Sequence, residues 1–119
     1  PSQTFLKKCC LTNGKHNCAI LLNNEHIDDI GNGMQQRDFA ILYGASDSLT
    51  LIFRDGEFVF SGDQMRCFAD ELKIRDDLIE SLEPENEDIV IITSSDDKFV
   101  AEISAINTAI GTLATHEKH

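Results

Sequence analysis

Residues 49–60 read LTLIFRDGEFVF, two apolar runs joined through Arg54-Asp55-Gly56-Glu57. Asp-Gly between such runs is the dipeptide of a type I′ turn, because both central residues of that turn need φ > 0. A two-residue loop fixes the register: Arg54 faces Glu57, Phe53 faces Phe58, Ile52 faces Val59 and Leu51 faces Phe60. Side chains alternate across a strand, so one face collects Leu49, Leu51, Phe53, Phe58 and Phe60 and must be core. The other carries Thr50, Ile52, Arg54, Glu57 and Val59, mixed enough to be half covered. Ile52 and Val59 are covered either by helices or by another copy of the chain; left bare, they would form the surface of a homodimer.

Working back from the hairpin, Gly44-Ala45-Ser46-Asp47-Ser48 is a loop of turn formers, and the apolar run Phe39–Tyr43 before it reads as another strand. Gly31-Asn32-Gly33 marks a flexible connection. His16–Leu22, with Cys18, Ala19, Ile20, Leu21 and Leu22 in succession, predicts a buried strand. Asn23-Asn24 then suits a tight turn into a poorer strand, Glu25–Ile30. Residues 1–15 are expected to be irregular, or to hold a short helix over Ser2–Cys10 with Phe5 and Leu6 inward.

Beyond the hairpin, Ser61-Gly62-Asp63 predicts the start of a helix whose apolar positions are Met65, Phe68, Ala69 and Leu72. The phase then shifts. Ile74, Leu78, Ile79 and Leu82 need a second face, so a kink near Lys73–Arg75 or a new helix capped by Asp76 is expected. After the polar exit Glu83-Pro84-Glu85-Asn86-Glu87, the β-branched run Ile89–Thr93 reads as a strand covered on both faces. Ser94 followed by Asp97 resembles a capping box. Phe99, Ile103, Ile106, Ile110 and Leu113 recur at intervals of 4, 3, 4 and 3, one stripe of a helix. Phe99, Ala101 and Ile103 also alternate as a strand would, but Asn107 and the periodicity through Leu113 select the helix; residues 114–119 are a frayed tail. The sum is a single α+β domain over residues 1–119: a mainly antiparallel, mixed sheet of about five to six strands with two to three helices packed on it.

The formal net charge of the 119 residues is −11, and its placement says more than its size. Residues 55–102 hold 15 acids against 4 bases, whereas the remainder holds six of each. A phosphate backbone would be repelled by that segment, which disfavours nucleic acid. No stretch approaches the roughly 20 apolar residues of a membrane span. Cys9, Cys10, Cys18 and Cys67 are even in number, but two are adjacent and one sits in an apolar pattern, so reduced thiols and a cytoplasmic setting are expected.

Assembled chemistry is scarce. Cys9, Cys10, His16, Cys18 and His26 are ligand types without a paired C-x-x-C unit, and neither a metal nor a cofactor is expected from them. No phosphate-binding glycine loop and no nucleophile elbow occurs. The order of strands, helix, buried strand and helix from Phe39 to Leu113 resembles the ribonuclease H-like fold. That resemblance implies a divalent-metal phosphodiester hydrolase with Glu71 and Asp96 or Asp97 as ligands. The chain departs from it at the first strand, Phe39–Tyr43, which holds no acid, although a two-metal centre needs its carboxylates about 4 Å from shared ions.

The function expected is therefore binding: a small acidic module of inhibitor, immunity or chaperone type, without catalytic activity of its own, engaging a protein with a basic surface. Its contact residues would be Asp70, Glu71, Asp76, Asp77, Glu80, Glu83, Glu85, Glu87 and Asp88. The metal-dependent hydrolase is the alternative.

Overall fold

The run expected to be buried on both faces lies at the centre of one sheet. The computed structural model describes residues 3–6 and 14–117. Its strands are β1 (Gln3–Leu6), β2 (His16–Leu22), β3 (Asp47–Arg54), β4 (Glu57–Phe60) and β5 (Ile89–Ser95). They pair in the order β1-β2-β5-β3-β4, antiparallel at each step. All seven residues of β5 are buried, and its uninterrupted Ile-Val-Ile-Ile is what a strand with protein on both faces requires. Helices α1 (Met34–Leu42), α2 (Leu72–Leu82) and α3 (Lys98–Glu117), with a 3-10 helix over Asn24–Asp29, complete an α+β fold.

The hairpin forms in the register that its turn dictates, with Leu51 opposite Phe60 and Arg54 opposite Glu57. Asp55 and Gly56 both take positive φ, 54° and 82°. Both faces of the sheet are covered. On one, Cys18, Ile20, Leu22, Ile52, Val59, Ile89 and Ile91 pack under Ala101, Ala105 and Ala109 of α3. On the other, Ala19, Leu51, Phe58, Val90 and Ile92 meet Leu78 and Leu82 of α2 and Cys67 and Phe68 of the preceding segment. The Phe58 ring stands 5.0 Å from that of Phe53 and 6.2 Å, edge-on, from that of Phe68. Ile52 and Val59 thus lie inside the chain's own core, covered by helix rather than by a second copy.

Several local expectations are corrected. Phe39–Tyr43 is not a strand: Phe39–Leu42 lie in α1, which buries Gln36 and Ala40 and leaves Ile41, Leu42 and Tyr43 exposed. Gln3–Leu6 is a strand paired with β2 rather than part of a short helix, and Glu25–Ile30 follows Asn23, whose side chain caps the 3-10 helix by accepting from the Glu25 N–H at 2.9 Å. Residues 61–71 make no helix, because Gln64 and Phe68 take φ of 62° and 63°, and Arg66 bridges back to Val59. α2 begins at Leu72, not at a cap on Asp76.

At the start of α3 the cap is Asp97 itself, whose Oδ1 accepts from the N–H groups of Phe99 (2.9 Å) and Val100 (3.2 Å). Ser94 takes no part; its hydroxyl is buried in the sheet, and Ser95 Oγ accepts from the Asp97 N–H at 3.1 Å. α3 continues to Glu117, so residues 114–117 are helical rather than frayed. Its apolar stripe lies at the margin of the buried face rather than at its centre: Phe99 and Ile110 are exposed and Ile103, Ile106 and Leu113 half-buried, while Ala101, Ser104, Ala105, Thr108, Ala109 and Thr112 face inward. Cys9 and Cys10 lie outside the described residues.

Candidate functional site

The expected contact residues lie on and around α2, which crosses the sheet face opposite α1 and α3. Arg75 ties it down: its Nη1 donates to Glu57 Oε1 of β4 at 2.7 Å, and its Nη2 donates to Asp76 Oδ1 at 3.1 Å. Leu78 and Leu82 point into the core, which turns Asp76, Asp77 and Glu80 outward. Asp70 is exposed ahead of the helix. Glu71 occupies the N-cap position without making a side-chain cap bond.

The charges of α2 run against its dipole. Its first turn holds no acid but Lys73 and Arg75; its last turn holds no base. Three carboxylates, at Asp76, Asp77 and Glu80, follow those bases, and Glu83 closes the helix as a left-handed C-cap (φ 50°) whose N–H donates to Ile79 O at 2.9 Å. A helix N-terminus favours anions and a C-terminus cations, typically by about 0.3–1 kcal/mol per charge. Glu80 in the last turn and Glu83 at the C-cap are therefore a local cost, of the kind retained where something outside the helix compensates it.

Past the cap, the segment to β5 is fixed by two acids with bonds inside the chain. Asp88 is buried; its Oδ1 accepts from the Asn24 N–H at 2.9 Å and its Oδ2 from the Glu85 N–H at 2.8 Å. Glu87 chelates Arg54, with Nε to Oε1 at 2.9 Å and Nη2 to Oε2 at 2.8 Å, and that guanidinium holds its carboxyl below the usual range. Arg54 also donates to Gln64 Oε1. Of the nine expected residues, Asp70, Asp76, Asp77, Glu80, Glu83 and Glu85 are exposed, and Asp88 is spent inside the fold.

Asp88 and its neighbours shape a cleft of about 720 Å³ where α2 ends and β2 leaves the sheet. Leu21, Leu22, Leu82 and Leu113 give it apolar walls, Glu83 and Glu85 stand beside it, and Asn23 and His26 of the 3-10 helix region close another side. Among the described residues no Lys or Arg lines it. Sequence reasoning named His26 as a ligand type and Asn23 as a turn former, but nothing local joins them to the leucines, since the stretch 21–26, Leu82 and Leu113 are far apart in the chain.

The hydrolase residues do not assemble. Asp97 is committed to the cap of α3, and Asp96 Oδ1 accepts from the Lys15 N–H at 3.1 Å. Glu71 lies at the start of α2, on the other side of the sheet from α3. Among the described residues no group of three or more His, Cys, Asp or Glu side chains could hold a metal ion. The strand that the ribonuclease H-like resemblance needs first is helix α1. Cys18, one of the ligand types noted, is a core thiol pushed up to about 11 by burial and, secondarily, by the Glu102 carboxylate.

Residues 13–113 match the family described as "Domain of unknown function (DUF4443)". The chain belongs to the DUF4443 family. Similar in fold to this DUF4443 chain is the solved structure named "Hypothetical protein PH0730 from Pyrococcus horikoshii OT3", with a TM-score of 0.70 and 22% identity over 94% of this chain. The match spans 55% of that protein's length, so the DUF4443 chain here corresponds to little more than half of it. At that identity the likeness is one of fold. No curated protein matches the chain. None of the described helices is long and apolar enough to cross a membrane.

Proposed function

We propose that this DUF4443 domain is an acidic binding module that engages a protein with a basic surface. The observation that carries this reading is the run of outward carboxylates along α2, Asp76, Asp77 and Glu80, ending in Glu83 at the C-cap with no base in the last turn. Within the chain, Arg75 answers Asp76, but no base in the last turn answers the C-terminal carboxylates. A basic partner would relieve that repulsion on binding and would be steered to the helix from a distance. A cytoplasmic setting and exclusion of nucleic acid belong to the same reading, since the same acids repel phosphate.

The test is affinity capture at low salt from an extract of an organism that encodes the protein, run beside an Asp76→Asn, Asp77→Asn, Glu80→Gln, Glu83→Gln variant. A basic protein held by the wild type, released as salt rises and missed by the variant is the expected result. Equal retention by both chains would remove the electrostatic argument.

A further inference from the structure

The cleft at the C-terminal end of α2 combines three properties that the acidic helix alone does not have. It is concave, at about 720 Å³ within the roughly 300–1,000 Å³ range of sites that enclose ligands, and larger than a single side chain needs. Its apolar lining is offered chiefly by the half-buried Leu21 and Leu113, with Leu22 and Leu82 buried behind it. Its electrostatic character is negative from two sources at once. Glu83 and Glu85 are exposed beside it, and the terminal carbonyls of α2 lie at the same end, with no basic residue in the last turn to compensate them.

It is also built before any ligand arrives. The buried Asp88 carboxylate joins the 3-10 helix to the loop after α2 through Asn24 and Glu85, and Asn24 Nδ2 donates to Asn86 O at 3.2 Å. Both Asp88 oxygens are used in that work, which leaves the cation-attracting role to Glu83, Glu85 and the helix end.

Apolar walls beneath carboxylates and carbonyls suit one chemistry: a cation on a hydrocarbon stem. A bare metal ion would leave the leucines without a role, whereas lysine and arginine lay their methylenes on apolar surface and keep the charge among polar groups. Such a stem could belong to a free polyamine or to a protein. The cleft adjoins the outward carboxylates of α2, Glu80 standing one turn before Glu83, so further bases on the same ligand would meet further acids.

We propose that this cleft seats a lysine or arginine side chain from a basic, apolar-flanked segment of the partner protein, its stem against the half-buried Leu21 and Leu113 and its cation between Glu83, Glu85 and the end of α2. The inference rests on the reading of the domain as a module for a basic partner and adds the anchor to it.

The test is an NMR titration of the 15N-labelled chain with a capped peptide of alternating lysine and leucine. The same peptide with glutamine for lysine, and spermidine, are titrated in parallel. Expected are amide shifts at Leu22, Asn23, His26, Leu82 to Glu85 and Leu113, absent with the glutamine peptide and much smaller with spermidine at equal charge concentration. A Glu83→Gln, Glu85→Gln chain should bind about tenfold more weakly, the loss of two partly exposed ion pairs. Asp38→Asn, exposed on α1 across the sheet from α2, should stay within about twofold of the wild type.

Shifts confined to Asp76, Asp77 and Glu80 would overturn the anchor while leaving the acidic helix as the docking surface. Shifts nowhere would overturn both. A spermidine response equal to that of the lysine peptide would overturn the protein segment in favour of a free polyamine, and an equal response to the glutamine peptide would remove charge from the account.

Discussion

Arg54 and Glu87 meet in a two-bonded pair, Nε to Oε1 at 2.9 Å and Nη2 to Oε2 at 2.8 Å, that fastens the β3–β4 hairpin to the loop entering β5. The backbone runs alongside it: the Glu87 N–H donates to Phe53 O at 2.6 Å and the Phe53 N–H to Asp88 O at 2.8 Å. Both side chains are more than a third exposed or nearly so, which limits the pair's worth to about 0.5–1 kcal/mol after solvent screening. Glu87→Gln should lower the unfolding free energy measured in urea by that amount at pH 7. Because Arg54 depresses the Glu87 carboxyl, the stabilisation is present above the ordinary glutamate range near pH 4.3 and disappears as pH falls through the folded-state value. The difference between wild type and variant should therefore close in acid; a constant difference down to pH 2 would contradict the pairing.

Asp88 carries more weight because it is buried and satisfies two backbone donors from different segments. Asp88→Ala leaves the Asn24 and Glu85 N–H groups without their acceptor and empties the space between them. A loss of about 2–4 kcal/mol is expected, from charge-assisted bonds of roughly 1.5–3 kcal/mol each, partly recovered by water. Chemical denaturation measures it. Hydrogen exchange should show the faster opening at residues 24 and 85 before the sheet amides change.

Cys18, fully buried between β1 and β5, has a thiol pushed up to about 11 by burial and by Glu102. At pH 8 only about one molecule in a thousand would carry the thiolate, against roughly a quarter for an ordinary thiol. Iodoacetamide should leave Cys18 unmodified in the native protein for hours and label it readily in urea, as peptide mass mapping would show. Prompt native labelling would mean that β2 opens far more often than a central strand should.

What the sequence revealed and what it hid follow from the range of the signals. The hairpin was legible down to its register, because Asp55-Gly56 sets the turn and the turn sets every pair after it. β2 and β5 were legible because continuous apolar runs admit few alternatives. Phe39–Tyr43 misled for the same reason: four of its five residues lie in the second half of a helix that buries Gln36 and Ala40 instead, a choice made by contact with α3, where Gln36 Nε2 donates to Thr112 Oγ1 at 3.4 Å. The acids were visible as a charge run, but sorting them into exposed carboxylates on α2 and structural ones at Glu87 and Asp88 took tertiary partners 33 and 64 residues away, Arg54 and Asn24.

α3 gives the sharpest reversal and a direct experiment. Periodicity placed Phe99, Ile103, Ile106, Ile110 and Leu113 toward the core, yet Ala101 and Ala105 are fully buried and Ala109 nearly so, against Cys18, Ile20, Ile89 and Ile91. Small side chains let the helix sit close to a sheet face that is already filled by β-branched residues, and a larger one there has no room. Phe99 and Ile110 are 68% and 57% exposed and have little packing to lose. Ala105→Leu should cost about 1–3 kcal/mol or more through overpacking, whereas Phe99→Ser and Ile110→Lys should each stay within about 0.5 kcal/mol of the wild type. Equilibrium unfolding of the three variants decides between the two faces: had the apolar stripe been the buried one, the order of the losses would invert, with Phe99→Ser the most damaging and Ala105→Leu tolerated on the surface.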